Sequence, residues 1–274
     1  MIYYVTCCMS VRCCKYYIFF LFLLLVRTSY GQQKEKAVLS FNAVQLSQNF
    51  LYAAKTGEET AAFLDSLKNI DEVSLADQLN SDEQKLAFWL NLYNGFTQVL
   101  LKKNPDQYKT RNAFFSSKQI QVAGQQLSLD EIEHGILRHS KIKWSEGYLG
   151  KPFPGTFEKK FRVKKLDYRI HFALNCGAKS CPPIAFYDPK QIDKQLAIAV
   201  KTYLKGECEF NQAKNSISVP ALMGWFRHDF GGKKGMLKIL KENKIIPAES
   251  NPKIHFKEYD WTLFLNNYKS ESNG

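Results

Sequence analysis

The sequence DYRIHFALNCGAKSCPP, residues 167–183, decides how the rest of the chain is interpreted. Hydrophobic and polar side chains alternate along its first half, which is the period of a β-strand with two unlike faces. The alternation stops at Cys176 and Gly177, and glycine there allows a sharp turn of the backbone. We therefore predict a strand that carries His171 on its polar face and ends at Cys176, followed by a turn that contains Cys181.

Two chemical interpretations fit the pair Cys176 and Cys181. In the first, Cys176 is a reactive thiol held at the end of the strand. In the second, the two sulfurs form a disulfide that closes a short loop and fixes the turn. The sequence leaves both interpretations open. His171 and Cys176 are five residues apart, so in an unbroken strand they face opposite sides. The chain must bend at Cys176 and Gly177 to bring the imidazole and the thiol together.

The first 31 residues have the pattern of a signal peptide. Arg12 and Lys15 precede an unbroken apolar run at residues 16–26, and small residues follow at Ser29 and Gly31. The run is shorter than the roughly 20 apolar residues that a membrane span needs. We predict cleavage after Gly31 and export to the periplasm or the medium. The alternative is an uncleaved N-terminal membrane anchor.

Removal of this segment changes the charge and the cysteine count. The full chain carries a formal charge of +12, and the segment holds three basic residues and no acidic one, which leaves +9. Four of the seven cysteines are removed, and Cys176, Cys181 and Cys208 remain. Export favours disulfides, but an odd number leaves one thiol free or paired between chains. The lysines are dispersed without a nucleic-acid motif, so we expect association with an anionic envelope surface and no nucleic-acid partner.

Composition and periodicity predict the fold class. The chain has 45% hydrophobic and 23% charged residues, which are ordinary values for a globular protein. We predict a mainly helical α+β fold in which residues 32–274 form a single domain, with a small sheet that carries the His171–Cys176 strand. Predicted helices span residues 39–54, 58–68, 82–103, 128–138, 188–204, 220–229 and 233–241, strands span 119–126, 168–175, 207–210, 216–219 and 253–258, and a long loop spans 144–161.

The helix predicted over residues 82–103 is apolar on nearly every face, which indicates burial. Asn91, Asn94 and Gln98 recur at spacings of three and four and so form one polar stripe on it. Buried amides need partners, because an unpaired one costs roughly 1–3 kcal/mol. The stripe is therefore either an internal bracket that bonds a neighbouring loop or part of a site. In a site, Asn91 and Asn94 would orient a base or donate to an oxyanion.

The helix predicted at residues 128–138 is short and densely charged. Ser128 and Glu131 have the spacing of a capping box at its start. Glu133, His134 and Arg138 follow within two turns. They fit a surface helix with local ion pairs, or a site in which Glu133 orients a catalytic base.

Several motifs together resemble one family, the domain of unknown function 547, over roughly residues 76–266. The resemblance implies a fold neighbourhood and a set of motif positions, but no reaction. It also implies that relatives place Ser or Asp at the position of Cys181, which weakens a disulfide as the reason for Cys176. We expect Arg138, Cys181, Trp225 and His228 to be binding residues. The motifs are WLNLYN from Trp89, SLDEIE from Ser128 with Arg138, HFALNCG from His171, Cys181-Pro182, WFRHDF from Trp225 and YDW from Tyr259.

Two function classes remain. The first is a thiol-dependent hydrolase or acyl-transfer enzyme in which Cys176 is the nucleophile and His171 or His228 the base, with Asn91, Asn94 or Glu133 in support. The second is an exported binding or scaffold protein in which Cys176 and Cys181 are structural. The cysteine and histidine spacing does not fit a metal site, and no phosphate-binding or dinucleotide-binding motif occurs. We therefore expect no metal and no cofactor, and the sequence names neither the substrate nor the oligomeric state.

Overall fold

The structure, a computed structural model, describes residues 42–269. The predicted signal peptide lies outside these residues. The first half of the described chain is helical, with two short strands at its end. Its elements are α1 (Ala43–Thr56), α2 (Ala61–Asn69), α3 (Glu72–Gln78), α4 (Asp82–Lys103), a 3-10 turn (Pro105–Thr110), α5 (Arg111–Ser116), β1 (Ile120–Val122) and β2 (Gln125–Leu127).

The second half mixes short helical segments with three strands. A π-helix (Glu131–Leu137) is followed by a 3-10 turn (Lys143–Ser145), α6 (Thr156–Phe161) and a second 3-10 turn (Tyr168–Phe172). The remaining elements are α7 (Ile192–Glu207), β3 (Glu209–Asn211), β4 (Ser216–Val219), α8 (Ala221–Trp225), α9 (Gly232–Glu242) and β5 (Lys253–Phe256).

Helix α4 is the centre of the larger hydrophobic core. Ser81 and Gln84 form a capping box at its start, and its C-terminal cap, Asn104, is followed by proline. Its middle is buried on every face, as the sequence predicts, and α1 packs along it. The two helices approach closely because Gly95 has no side chain. A Cβ at this position would lie 2.6 Å from the ring of Phe50.

The strands form two small sheets. β1 and β2 pair antiparallel, with Ile120 opposite Leu127. In the second sheet β4 is central, antiparallel to β3 and parallel to β5. The fold is therefore mainly helical α+β, as predicted. A second core cluster lies between this sheet and helices α7 and α9.

The prediction of a strand that carries His171 and Cys176 is wrong. Residues 168–172 form a 3-10 turn, and the chain from Ala173 to Cys176 is irregular. Burial there does not alternate, because consecutive residues 170–175 are all buried. The polar residues His171 and Asn175 face inward, where other parts of the chain bond them. The turn links the two cores, since Ile170 belongs to the first and Phe172 to the second.

Other departures from the predicted elements are smaller. The loop predicted at residues 144–161 contains the end of a 3-10 turn and all of α6. The helix predicted at 220–229 is only α8, and the one predicted at 188–204 is α7, which begins at Ile192. The segment predicted as helix 128–138 keeps its capping box but continues as a π-helix.

Candidate functional site

A cavity of about 400 Å³ lies where the π-helix, the 3-10 turn at Tyr168–Phe172, α5, α8 and the C-terminal segment meet. Its wall includes Cys176 and His171 from the sequence-predicted stretch and Glu133 from the π-helix. The wall also includes the aromatic side chains of Trp225 and Trp261. The cavity thus combines a thiol, an imidazole and a carboxylate with large apolar surfaces, which is the usual composition of a small-molecule site.

The two sulfurs of Cys176 and Cys181 are 2.7 Å apart. The hydroxyl of Tyr259 is 3.1 Å from Cys181 Sγ and 3.4 Å from Cys176 Sγ, and the backbone N–H of Cys176 donates to Cys181 Sγ at 3.0 Å. Both cysteines are free thiols here. Cys176 is partly exposed on the cavity wall, whereas Cys181 is buried behind it.

The environment separates the pKa values of the two thiols. A hydrogen bond from Cys181 lowers the pKa of Cys176, and a bond from Tyr259 and backbone donation near Ala178 add to this against the effect of burial. Burial raises the pKa of Cys181 well above its ordinary value. Cys176 is therefore the member of the pair that ionises first, and the thiolate is the nucleophilic form of cysteine.

A tight turn holds Cys176 in place. Gly177 has φ +84°, a conformation that favours glycine, and a Cβ there would lie 2.8 Å from Leu101. The Asn175 side chain accepts from the backbone N–H of Gly177 at 2.9 Å and donates to the carbonyl of Pro182 at 2.8 Å. The residue before Cys176 thus closes the loop that brings Cys181 back to it.

His171 is bonded on one side only. Its Nε2 lies 2.9 Å from Asp229 Oδ2, and its ring stacks on Phe226 with centroids 3.9 Å apart. A carboxylate only accepts, so Nε2 carries the proton and Nδ1 is the free acceptor. Nδ1 is buried without a partner. Burial lowers the pKa of His171, with the charge of Arg138 adding to this, so the imidazole is neutral near pH 7.

Arg138 connects two parts of the site. Its Nε donates to Asp229 Oδ2 at 2.7 Å, and NH1 donates to His134 Nδ1 at 2.9 Å. Its guanidinium lies 4.5 Å from the centroid of the Phe226 ring. Burial acts to raise the pKa of Asp229, but hydrogen bonds from His171 and Arg138 outweigh this effect and the pKa lies below its ordinary value. Asp229 is thus an anion that orients His171.

The π-helix brings further ionisable groups to the cavity. Glu133 accepts from the hydroxyl of Tyr93 at 3.1 Å, and burial raises the pKa of that tyrosine so that it stays a donor. His134 Nε2 is 3.6 Å from Asp130, whose carboxylate also accepts from Lys143 at 2.9 Å. The wider turn of a π-helix is frequent at functional sites. Here the neighbouring residues 133 and 134 of the π-helix both line the cavity.

The aromatic wall is built by residues from two separate segments. Trp225 ends α8, and Tyr259 and Trp261 lie beyond β5. The two indoles are stacked at 5.5 Å with an angle of 15°, and the Tyr259 ring lies 4.7 Å from Trp225 and 4.6 Å from Trp261. Trp225 is 40% exposed. This wall gives a ligand a flat apolar surface at the opening of the cavity.

The structure places the predicted site residues in three groups. Cys176, His171, Glu133 and Trp225 line the cavity, while Arg138 and Cys181 bond to groups in its wall. The third group, Asn91, Asn94 and His228, does not line it.

Asn91 and Asn94 act as internal brackets. Asn91 bonds the backbone N–H and carbonyl of Tyr187 at 2.9 and 3.0 Å. Asn94 bonds the carbonyl of Ala173 and the N–H of Asn175 at 3.0 and 2.9 Å. Asn94 therefore supports the segment that leads into Cys176, and Asn91 supports the segment at Tyr187.

One interpretation of the sequence pairs Cys176 with His171 or His228, and the structure contains neither of these hydrogen bonds among its described residues. His228 is exposed and packs on Tyr148, with ring centroids 4.7 Å apart. Among the described residues, Cys176 has no hydrogen bond to an imidazole, and its side-chain partners are Cys181 and Tyr259.

Sequence reasoning missed the roles of Asp229, Tyr259 and Arg111. Asp229 and Tyr259 occur in motifs that the family resemblance singled out, but nothing in their local spacing indicates a link to His171 or Cys176.

Among residues 42–269, no cluster of three potential ligands could hold a metal ion. No helix in the same part of the chain is long and apolar enough to span a membrane.

Comparison with known proteins gives one family. The model described as "Protein of unknown function, DUF547" matches residues 76–204. This part of the chain resembles DUF547 proteins. The DUF547-like segment holds Cys176, His171, Glu133 and Arg138, whereas Asp229 and the aromatic wall follow it in the sequence. The match ends before residue 266, the limit expected from the motifs. No curated protein and no solved structure matches the chain.

Proposed function

We propose that this protein is a thiol-dependent hydrolase or acyl-transfer enzyme with Cys176 as its nucleophile. The observation that carries the proposal is the position of the Cys176 sulfur. It lies on the wall of an open cavity, within hydrogen-bond distance of two groups that can donate, the Cys181 thiol and the Tyr259 hydroxyl. Donors to the sulfur favour the thiolate, which is the form that attacks carbonyl carbon.

His171 is the base that the proposal assigns. Of the two histidines that line the cavity, His134 has Nδ1 bonded to Arg138 and Nε2 near Asp130. His171 keeps Nδ1 unpaired and is neutral, so it can accept a proton. Asp229 stabilises the imidazolium that forms. Catalytic hydrogen bonds are often long in unliganded enzymes and tighten only when substrate is bound.

The reaction proceeds in two balanced steps. The thiol proton passes to His171 Nδ1, the sulfur attacks the acyl carbon, and a C–S bond forms as the bond to the leaving group breaks. The imidazolium then gives its proton to the leaving group. In the second step, water or another acyl acceptor loses a proton to Nδ1 and attacks the thioester carbon. The C–S bond breaks, and the imidazolium returns its proton to the sulfur of Cys176.

Acylation of the reduced protein tests this proposal. We expect p-nitrophenyl acetate and an acetyl thioester to leave an acetyl group on Cys176, detected by peptide mapping. Cys176→Ala should lose that adduct, and Cys208→Ala should keep it. His171→Gln should slow acylation by roughly 10²-fold or more, the usual contribution of a general base. Equal acylation rates at Cys176 and Cys208 in the wild-type protein would contradict the proposal.

A non-catalytic binding protein is the second candidate, and the 2.7 Å separation of the two sulfurs favours it. In an oxidising compartment these thiols could join as a disulfide, which would block Cys176. In that case Cys176→Ala should lower stability, by at most about 3 kcal/mol because the closed loop is short. A Cys176–Cys181 cross-linked peptide in the protein isolated without reductant would support this candidate.

We also propose that the protein is exported. The apolar run and the small residues before Gln32 support this, and the basic charge of the chain supports association with an anionic envelope surface. Export matters for the chemistry, since it sets the redox state that Cys176 and Cys181 meet.

A further inference from the structure

Arg111 is a cationic residue on the cavity wall that forms no ion pair with a carboxylate of residues 42–269. It begins α5 and is partly exposed. Its guanidinium lies 4.8 Å from the centroid of Trp261 and 5.6 Å from that of Tyr108. Among the described residues it has no ion pair, although 26 acidic residues occur in the chain. Stacking on aromatic rings leaves the edge N–H groups of an arginine free to bind a ligand.

The other charged groups of the cavity already have partners. Lys143 donates to both oxygens of Asp130 at 2.9 Å. Glu133 accepts from Tyr93, and His134 accepts from Arg138. On this polar side of the cavity Lys143 pairs with Asp130, and Glu133 accepts a hydrogen bond from a neutral tyrosine, whereas Arg111 presents its positive charge next to the aromatic wall.

Two aromatic side chains connect Arg111 with the surroundings of the thiol pair. Its ring partner Tyr108 packs near Gly177, where a Cβ would lie 3.7 Å from the Tyr108 ring. Its second partner, Trp261, packs on Tyr259, whose hydroxyl bonds both thiols. Arg111 is therefore linked to the surroundings of the thiol pair by two routes. One runs through Tyr108 to Gly177, and the other runs through Trp261 to Tyr259.

We propose that the cavity takes acyl compounds that bear a free carboxylate, and that Arg111 binds this carboxylate while the aromatic wall contacts the body of the molecule. This inference rests on the proposed function, because it names the class of substrate that Cys176 attacks. An arginine binds a carboxylate through two parallel hydrogen bonds, which fixes the position of the ligand as well as its charge. Arg111 is then a specificity-determining residue.

Two alkylating agents of almost equal size test the inference. Iodoacetamide is neutral and iodoacetate carries a carboxylate, and both modify a thiolate. The rate of modification at Cys176 is measured by peptide mapping of the reduced protein, at 0.15 M salt to screen distant charges. The readout is the ratio of the iodoacetate rate to the iodoacetamide rate, which cancels the reactivity of the sulfur itself.

We expect Arg111→Gln to lower this ratio by roughly threefold or more, since the reagent loses its charged partner. Arg111→Lys should keep the ratio within about twofold of the wild type, because the positive charge remains. Arg227→Gln is the matched control. It removes an arginine that also lies over an aromatic ring, 5.6 Å from Phe256, but that does not line the cavity, and it should leave the ratio unchanged.

Two results would overturn the inference, and they differ. An equal change of the ratio in Arg111→Gln and Arg227→Gln, or no change in either, would reject a carboxylate site at Arg111 and leave the role of Cys176 intact. Failure of both reagents to modify Cys176 in the reduced wild-type protein would reject the nucleophile itself, and the inference would fall with it.

Discussion

At the scale of single residues, Arg138 is the buried cation that pairs with Asp229 and contributes to the ionisation of the site. Its side chain is fully buried and bonds Asp229 and His134. Hydrogen bonds from His171 and from Arg138 hold the pKa of Asp229 below its ordinary value, and burial lowers the pKa of His171, with the charge of Arg138 adding to this. A buried cation of this kind is stable only while its carboxylate partner is present.

Removal of that partner should be costly. We expect Asp229→Asn to lower the free energy of unfolding by roughly 3–5 kcal/mol, because it leaves the charge of Arg138 buried and unpaired. Urea unfolding at pH 7 measures the change. Asp260→Asn is the control, since the side chain of Asp260 is exposed and its removal should leave the midpoint nearly unchanged. Equal midpoints for the two variants would contradict the buried ion pair.

The state of His171 makes stability depend on pH. Burial lowers the pKa of His171 below 6.5, so the unfolded chain binds this proton at a higher pH than the folded chain does. The contribution of His171 to the free energy of unfolding is therefore fully present above pH 6.5. It is lost as the pH falls below 6.5, by up to about 1.4 kcal/mol per pH unit.

Urea titrations between pH 7.5 and 5.5 measure this slope, and His171→Gln should reduce it. His255→Gln is the matched control, because His255 lies exposed on β5 and should keep the wild-type slope. A wild-type slope that survives in His171→Gln would mean that another group titrates.

At the scale of elements, α4 supports the site without entering it. Asn91 forms three hydrogen bonds, to both backbone groups of Tyr187 and to the hydroxyl of Ser47. Asn94 holds the segment that leads into Cys176. The amides act as brackets between the central helix and two irregular segments that have no sheet to support them.

Asn91 and Gln98 differ in the number of hydrogen bonds that they form, with three for Asn91 and one for Gln98. Asn91→Leu should destabilise the protein more than Gln98→Leu, since each buried group left unpaired costs roughly 1–3 kcal/mol. Gln98 accepts a single bond, from the N–H of Asn266, and its Nε2 has no partner even in the wild type. Thermal melting of the two variants checks the order. Equal melting temperatures would show that the Asn91 contacts contribute little.

Local signals in the sequence identify α4 well but fail near His171. The bounds of α4 follow from its cap at Ser81 and the stop at Asn104, which act on adjacent residues. The polarity pattern around His171 indicates a strand, yet no neighbouring strand is available to pair with it. Its polar side chains are satisfied by contacts from distant segments, which a period of two cannot reveal.

The site itself is assembled by long-range contacts. His171 and Asp229 are 58 residues apart in sequence, and Cys176 and Tyr259 are 83 apart. Residue types and motif positions made the thiol, the imidazole and Glu133 candidates, and all three line one cavity. The role of Asp229 as orienting group, of Tyr259 as donor and of Arg111 as free cation depends on how the C-terminal segment folds back, which no local pattern encodes.

At the scale of the whole molecule, the proposed export is testable on the intact chain. We expect the mature protein to begin at about Gln32, since the residues before it have the composition of a cleaved signal. Intact-mass analysis of envelope and medium fractions measures this. Detection of only the full-length chain, in the cytosol, would reject export.

The most direct test of the central claim is alkylation of the protein purified without reductant, at pH 6–7, with iodoacetamide and peptide mapping. The claim is that Cys176 is an activated thiol in an open cavity. Hydrogen bonds from Cys181 and Tyr259 lower the pKa of Cys176, while burial raises the pKa of Cys181 and brings that of Cys208 to about 12. We predict that Cys176 is modified far faster than the other two cysteines. A Cys176–Cys181 cross-linked peptide as the main species, with no modified Cys176, would contradict the claim.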